Sequence, residues 1–513
     1  MFCRSKNQSY TLASVTLFAI VFVIAVSYAS NRLSILSLPF SPPWLFRWPS
    51  SSSNFSIHSI NLHHSPPQSQ ILSPKTALYS MFDCDYDACK KQSGKMNNVV
   101  SKMIKELKEE TLLRRLKNKN IHDKKIEKIE AELSRARVLI RDSWTRINHN
   151  CSLFPLNDHD YVPDGSIYRD PYMFHRSYLL MEKLFKVYIY EEGEPPLFHT
   201  GPTTNIYSME GVFLNFIEND PNFRIYDPDQ AHVYFLPFSV VMILNNLFDP
   251  MIRDKAVLER VIGDYVHTVS SRYPYWNRSL GSDHFMLSCH DWGPRATWYV
   301  HSLYFTSIRL LCNANTSEFF NPRKDASIPE INLLRNEPTT ITGGLPASNR
   351  TVLAFFAGGQ FHGKIRPLLF QHWKGKDKDI QIYDRVPKNV SYEEMMKTSR
   401  FCICPSGFEV ASPRIVEAIY AECVPVLISQ HYVLPFSDVL NWDAFSVRVS
   451  VKEIPNLKKI LLGISDDKYT RLQENVKKVQ RHFSVNYPAK RYDVYHMILH
   501  SLWLRRLNLQ IYG

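Results

Sequence analysis

Three basic residues beside short glycine-bearing turns set the chemistry this sequence could perform. Arg414 stands in RFCICPSGFEVASPRIVEAIYAECVPVLIS, residues 400–429, and Glu417 follows it by three. Upstream, Phe355-Phe356-Ala357-Gly358-Gly359 leads to Lys364 and Arg366. Glycines after a strand let the backbone approach a phosphate, and basic side chains neutralise its charge. Gly358 and Gly359 on one side, with Ser406, Gly407 and Ser412 on the other, therefore read as the walls of a diphosphate cradle. Arg414, Lys364 and Arg366 supply its charge. A cation in a first helical turn works against the helix dipole by about 0.3–1 kcal/mol, and Glu417 interrupts an apolar helix. An anionic ligand would offset the first cost and ligand hydroxyls would satisfy the second. The plainer alternatives are an i,i+3 ion pair between Arg414 and Glu417 and, for Gly-Gly, an ordinary tight turn.

The elements that must position these residues follow from local pattern. Phe401 to Pro405 is a short apolar run that predicts a buried strand, Ser412 and Pro413 predict an N-cap and first helical residue, and Ile415, Val416, Ala418 and Ile419 carry a buried helix. Cys423 to Ile428 predicts the next strand. The unit is strand–loop–helix–strand, as in a parallel sheet, with ligands expected beyond the strand ends. Residues 351–356 and 380–383 predict two more strands, and Ser391 with Glu394 a capping box.

The 400–429 segment resembles the signature of the exostosin-type glycosyltransferases, family 47, in the form carried by the plant cell-wall branch. Phe174-His175-Arg176-Ser177, residues 231–239 and residues 282–292 also look like family segments, so the resemblance covers roughly Asp170 to Arg448. It implies a GT-B fold, α/β, with two Rossmann-like domains facing across a cleft, Arg414 near the donor diphosphate and Glu417 near the nucleotide ribose. Glu409 and Glu417 stand eight apart, similar to paired glutamates of other GT-B transferases. The resemblance further implies an inverting transfer from a nucleotide sugar, a UDP-sugar, with no required cofactor and no metal. Such a transfer needs a base for the acceptor hydroxyl and positive charge for the leaving diphosphate. Asp291, His290 and His284, in a first-domain strand and the loop after it, are the candidate bases; a strand-end His-Asp pair also serves simply to cap a loop. Asp227-Pro228-Asp229 reads as a Pro turn more readily than a metal triplet, and no Gly-X-Ser-X-Gly elbow supports hydrolase chemistry.

At 513 residues the chain exceeds one ordinary core. Its formal charge is +12, but residues 90–141 hold 16 Lys/Arg against 7 Asp/Glu, so the remainder is near balance, which argues against a nucleic-acid channel. Residues 11–30 are uncharged and mostly apolar, long enough for a bilayer core, with Arg4 and Lys6 before them. The expected order is a cytoplasmic tail (1–10), a transmembrane signal anchor (11–30), a disordered stem (31–95) and a stem helix (96–150). An acceptor-side Rossmann-like domain (170–340), a donor-binding one (350–450) and C-terminal helices (451–513) complete it. In GT-B proteins such a terminal helix commonly crosses back to the first domain.

Eight cysteines beyond the anchor suit an oxidising lumen, with their pairing open; Cys402 and Cys404 are poor partners for each other and read as core packing. Asn54, Asn150, Asn277, Asn315, Asn349 and Asn389 begin glycosylation tripeptides. Together these features predict a single-pass type II Golgi membrane protein. Its expected partners are a nucleotide sugar, a polysaccharide or glycan acceptor and other glycosyltransferases. A catalytically silent lumenal scaffold and a carbohydrate-binding subunit of a synthase complex are the rival readings.

Overall fold

Short runs of β-branched and aromatic residues, separated by helices, build two parallel sheets. The computed structural model describes residues 105, 108–110, 124–142, 158, 160–334 and 342–511. The first sheet contains β1 (Val187–Ile189), β2 (Arg224–Ile225), β3 (Val233–Phe235), β4 (His284–Ser288), β5 (Ile308–Leu311) and β6 (Ala326–Ser327), in the order β2-β1-β3-β4-β5-β6. The second contains β7 (Val352–Ala357), β8 (Ile380–Tyr383), β9 (Ser399–Pro405), β10 (Val424–Ile428) and β11 (Val447–Arg448), in the order β11-β10-β9-β7-β8. Every pairing is parallel. In both sheets the second strand lies outside the first and the third lies on its other side, a doubly wound Rossmann-like order. The order reverses between β1 and β3 and between β7 and β9, and ligands of such sheets bind at the carboxyl ends of strands at that point.

Central strands are largely buried along their length, as expected where helices cover both faces of a parallel sheet. All five residues of β4 and all five of β10 are buried. Cys402 of β9 is not simply core packing, since it is disulfide-bonded to Cys423, and Cys289 is bonded to Cys312. Cys404 is free and buried.

Two helices pack on the first unit, which is the first sheet with its loops and helices over residues 160–334. The helix Val494–Leu507 lies on the first unit, where Ser177 Oγ meets His500 Nε2 at 2.9 Å and accepts Trp503 Nε1–H at 3.2 Å. Arg505 Nε donates to Asp325 O and Arg506 Nε to His232 O, both at 2.7 Å. The helix over residues 124–142 docks on that C-terminal helix through buried Leu133 and Ala136, and Arg137 donates to the carbonyls of Leu507 and Leu509, each at 2.6 Å. Its basic residues are therefore not all solvated.

Residues 1–104, with the expected anchor, disordered stem and Asn54, and likewise Asn150, lie outside the described residues. Among the described residues no helix is long and apolar enough to cross a membrane.

Candidate active site

The second sheet assembles the basic cluster. The loop after β7 carries Gly358 and Gly359, the loop after β9 carries Ser406 and Gly407, and the two strands are neighbours. The loops touch: Gly363, at φ +85°, lies where a Cβ would collide with Gly407 O, and a Cβ at Gly407 would run into the His362 ring. Glycine is required at both places by close approach of the other loop. Arg414 and Arg366 converge on the end of β7. Their guanidinium carbons lie 4.6 and 5.7 Å from the Phe356 ring centroid, and a Cβ at Gly358 would sit 3.0 Å from Arg414 Nη2 and 3.5 Å from Arg366 Nη1. Arg414 Nη2 donates to Ala357 O at 2.5 Å, while the Nε atoms of both arginines are buried without a hydrogen-bond partner. Burial, and then the Arg414 charge beside it, push Arg366 down to about 10. Two close guanidinium groups without a salt-bridge partner among the described residues have the charge and the free N–H groups that suit an anion. Arg366 lies in the helix Ile365–Trp373, and Lys364, just before its first residue, is exposed.

Three local details follow from the structure. The helix begins at Arg414, with Pro413 as its cap at φ −62° and ψ −22°; Ser412 offers its carbonyl to Ile415 N–H and no hydroxyl cap forms. Among the described residues Arg414 and Glu417 form no salt bridge; Glu417 Oε2 instead accepts the Tyr392 O–H at 2.8 Å. Ser406 is buried and bonds Ser429 Oγ at 2.6 Å and Val410 O at 3.2 Å, so it braces the loop from beneath.

The first sheet supplies the acidic side. Its strand β4 ends at Ser288, and the Cys289–Cys312 disulfide joins the loops that follow β4 and β5. A buried carboxylate that sequence reasoning missed, Glu210, holds this loop. It accepts from Ser239 Oγ (2.6 Å), Ser288 Oγ (2.7 Å) and the backbone N–H groups of Cys289 (3.0 Å), His290 (3.1 Å) and Val241 (3.2 Å). Asp291 follows, half-buried, accepting the Tyr207 O–H at 3.2 Å, and burial raises its carboxyl. His290 Nδ1 accepts the Trp292 N–H at 3.0 Å, which places its proton on Nε2, and burial pushes the ring down to about 4. The imidazole is thus a neutral donor. His284 is not brought to this place. It opens β4 at the opposite end of the strand, fully buried, with Nδ1 2.8 Å from Asp283 Oδ1 and Nε2 2.8 Å from Tyr190 Oη.

The two sides meet at Asn313, just beyond β5, whose Nδ2 donates to Glu409 Oε2 at 2.7 Å. Asp291, Glu318 and Glu409 share the same cavity wall. Burial, followed by the charge of Glu318, raises Glu409 to about 7. Glu330, only 6% exposed, is raised above the ordinary carboxylate range by burial and then by Asp291, Glu417 and Glu409 around it. Glu318 and Glu330 carried no signal in the sequence, because only the chain crossing brings them to the others. The Asp227-Pro228-Asp229 turn lies elsewhere: Asp227 caps it, and Asp229 binds Lys125 Nζ at 2.7 Å and the Tyr275 O–H at 3.2 Å. Of the candidate glycosylation sites, Asn277, Asn349 and Asn389 are exposed. Asn315 is 7% exposed with its Oδ1 accepting from Ser317 N and Oγ, which does not suit a glycan on the folded chain.

Comparison with known proteins supplies the family. Residues 181–464 match the exostosin GT47 domain. The probable glycosyltransferase At3g07620 of Arabidopsis thaliana is 67% identical over 385 residues, 75% of this chain and 82% of that protein. The probable glycosyltransferase At5g03795 of the same plant is 56% identical over 386 residues, covering 75% and 73%. The Arabidopsis probable beta-1,4-xylosyltransferase IRX10 is 26% identical over 345 residues, covering 62% and 81%. Among solved structures, Acinetobacter baumannii MurG aligns over 40% of this chain and 71% of its own, at 11% identity and a TM-score of 0.22, too low to carry an argument. Match and relatives converge: the chain belongs to the exostosin GT47 family of glycosyltransferases.

Proposed function

We propose that this glycosyltransferase moves a sugar from a UDP-sugar to a hydroxyl of a polysaccharide or glycan, with inversion, in plant cell-wall biosynthesis. It acts in the Golgi lumen, anchored by residues 11–30 and glycosylated at its exposed tripeptides, with the nucleotide sugar as co-substrate and no resident metal or cofactor. The observation that carries the reading is the Arg366–Arg414 pair at the β7–β9 switch point. In this reading the diphosphate lies against the two guanidinium groups, with Lys364 at the rim and the Gly358–Gly359 and Ser406–Gly407 backbones alongside. Glu417 exchanges the Tyr392 hydroxyl for a ribose hydroxyl.

The acceptor hydroxyl gives its proton to Asp291, whose raised carboxyl is a stronger base than an exposed aspartate. The acceptor oxygen bonds to the sugar's anomeric carbon as the bond to the diphosphate oxygen breaks. The charge that develops on the departing UDP is taken up by Arg366 and Arg414. His290, a neutral donor, orients rather than deprotonates, and His284 has no part in the step.

Calorimetry on the purified full-length chain in mild detergent tests the reading. UDP is expected to bind the wild type, and Arg414→Ala to weaken it roughly 100-fold, as for truncation of a buried charged contact. A folded wild type that binds neither UDP nor another nucleoside diphosphate would sink this assignment and favour a silent scaffold.

A further inference from the structure

We propose that the cavity enclosed by Asp291, Trp298, Tyr304, Glu318, Phe319 and Glu409 is an acceptor subsite that stacks one neutral sugar ring on its aromatic wall. This rests on the transferase reading and adds the substrate class. The cavity holds about 260 Å³, just below the usual range of ligand pockets and suited to a single sugar unit rather than a length of chain. It joins the two sides of the site, because Asp291 and Glu318 come from the first sheet's loops and Glu409 from the loop after β9.

Its aromatic wall is not explained by packing. Trp298 is 56% and Phe319 63% exposed, with ring centroids 6.2 Å apart and Tyr304 6.4 and 6.3 Å from them. Large apolar side chains left in water at a cavity mouth mark a surface meant to be covered. Phe319 is also held at φ 63°, the left-handed region that a bulky residue occupies only under constraint. The constraint is visible: its carbonyl accepts from Arg309 Nη2 at 2.8 Å, and Arg309 is buried and paired with Asp325 at 2.5 Å. The fold therefore fixes a strained residue so that its ring faces solvent beside Trp298.

The polar lining selects the charge of the occupant. Three carboxylates face one cation, Arg295, whose Nε already donates to Tyr299 Oη at 3.4 Å. These carboxyl groups accept hydrogen bonds from sugar hydroxyls, and the ionised ones among them repel a uronate or a phosphate. The apolar face of a pyranose matches the aromatic wall, and its hydroxyl edge matches the carboxylates. A ring seated here presents that edge to Asp291, the proposed base.

The test uses the purified full-length chain, with UDP present, on an array of neutral and uronic-acid-containing cell-wall oligosaccharides. Trp298→Ala and Phe319→Gly are run alongside it. Expected are retention of neutral oligosaccharides only, a loss of roughly ten-fold in each variant for one stacking contact, and unchanged UDP affinity. Phe319→Gly should keep or raise the thermal midpoint, since glycine adopts the left-handed conformation freely. That separates lost binding from lost folding. Wild-type retention of only acidic glycans, or of none, overturns the proposal, as does retention unaffected by both substitutions. Neutral glycan binding that depends on Trp298 without any nucleotide binding would overturn the transferase reading and leave the cavity standing as a glycan site.

Discussion

Glu409 is the residue whose ionisation links the two sides of the site. Its carboxylate accepts from Asn313 and faces Glu318 and Asp291, and burial with those charges raises it from 4.5 to about 7. A carboxyl held above its unfolded value binds its proton more tightly when folded, so its contribution is fully present below pH 4.5 and lost as pH rises through about 7. The thermal midpoint of wild type should therefore fall relative to that of Glu409→Gln across this window. A difference that does not vary with pH would mean the carboxylate is solvated and uncoupled from its neighbours. Its place in the sequence, eight before Glu417, was legible; its neighbours were not, because Asp291, Glu318 and Asn313 come from a different sheet.

At the scale of elements, the helix Val494–Leu507 does more than close the chain. Trp503 is fully buried among first-unit residues, and its indole N–H reaches Ser177. Trp503→Ala should cost about 4 kcal/mol, the usual cost of truncating a large buried aromatic. Leu133→Ala in the helix over residues 124–142 should cost about 3 kcal/mol, because Leu133 is fully buried although its helix lies in a strongly charged stretch. Leu462, 62% exposed, serves as the control: its change to alanine should stay within about 0.5 kcal/mol. Denaturant unfolding reads all three. A small effect at Leu133 would show that this helix is a detachable stem. Its apolar stripe was readable in the sequence, whereas its docking on the C-terminal helix was not, since Arg137 bonds backbone carbonyls that any sequence would present.

At the scale of the molecule, one apolar cluster runs from Leu133 through Phe213 and Phe285 of the first unit to Phe401 and Val426 of the second, and on to Trp503. Two sheets that share a core do not unfold separately. Calorimetry should therefore show one transition over the described region, with matching calorimetric and van't Hoff enthalpies. Residues 350–450 expressed alone should fail to fold cooperatively. Two resolved transitions would indicate that the units are joined only by their linker contacts.

The sequence by itself determined the local pieces. Strands β4, β5 and β8 begin and end where the sequence pattern places them, because runs rich in apolar residues bounded by polar turns mark buried or half-buried strands. The Ser391 cap accepts from Glu394 N–H as its spacing requires. The placing of Gly358, Gly359, Arg366 and Arg414 beyond strand ends was legible, since each follows an apolar run in the chain. Tertiary structure decided what depends on residues distant in sequence. It separated His284 from Asp291 by the length of a strand, gave Glu417 to Tyr392 rather than to Arg414, and paired Cys402 with Cys423. It buried Asn315 and gathered Glu210, Glu318 and Glu330 around the site. Local pattern reports backbone conformation and burial of one segment, but a carboxylate's partner, and hence its chemistry, is set by whichever loop the fold lays against it.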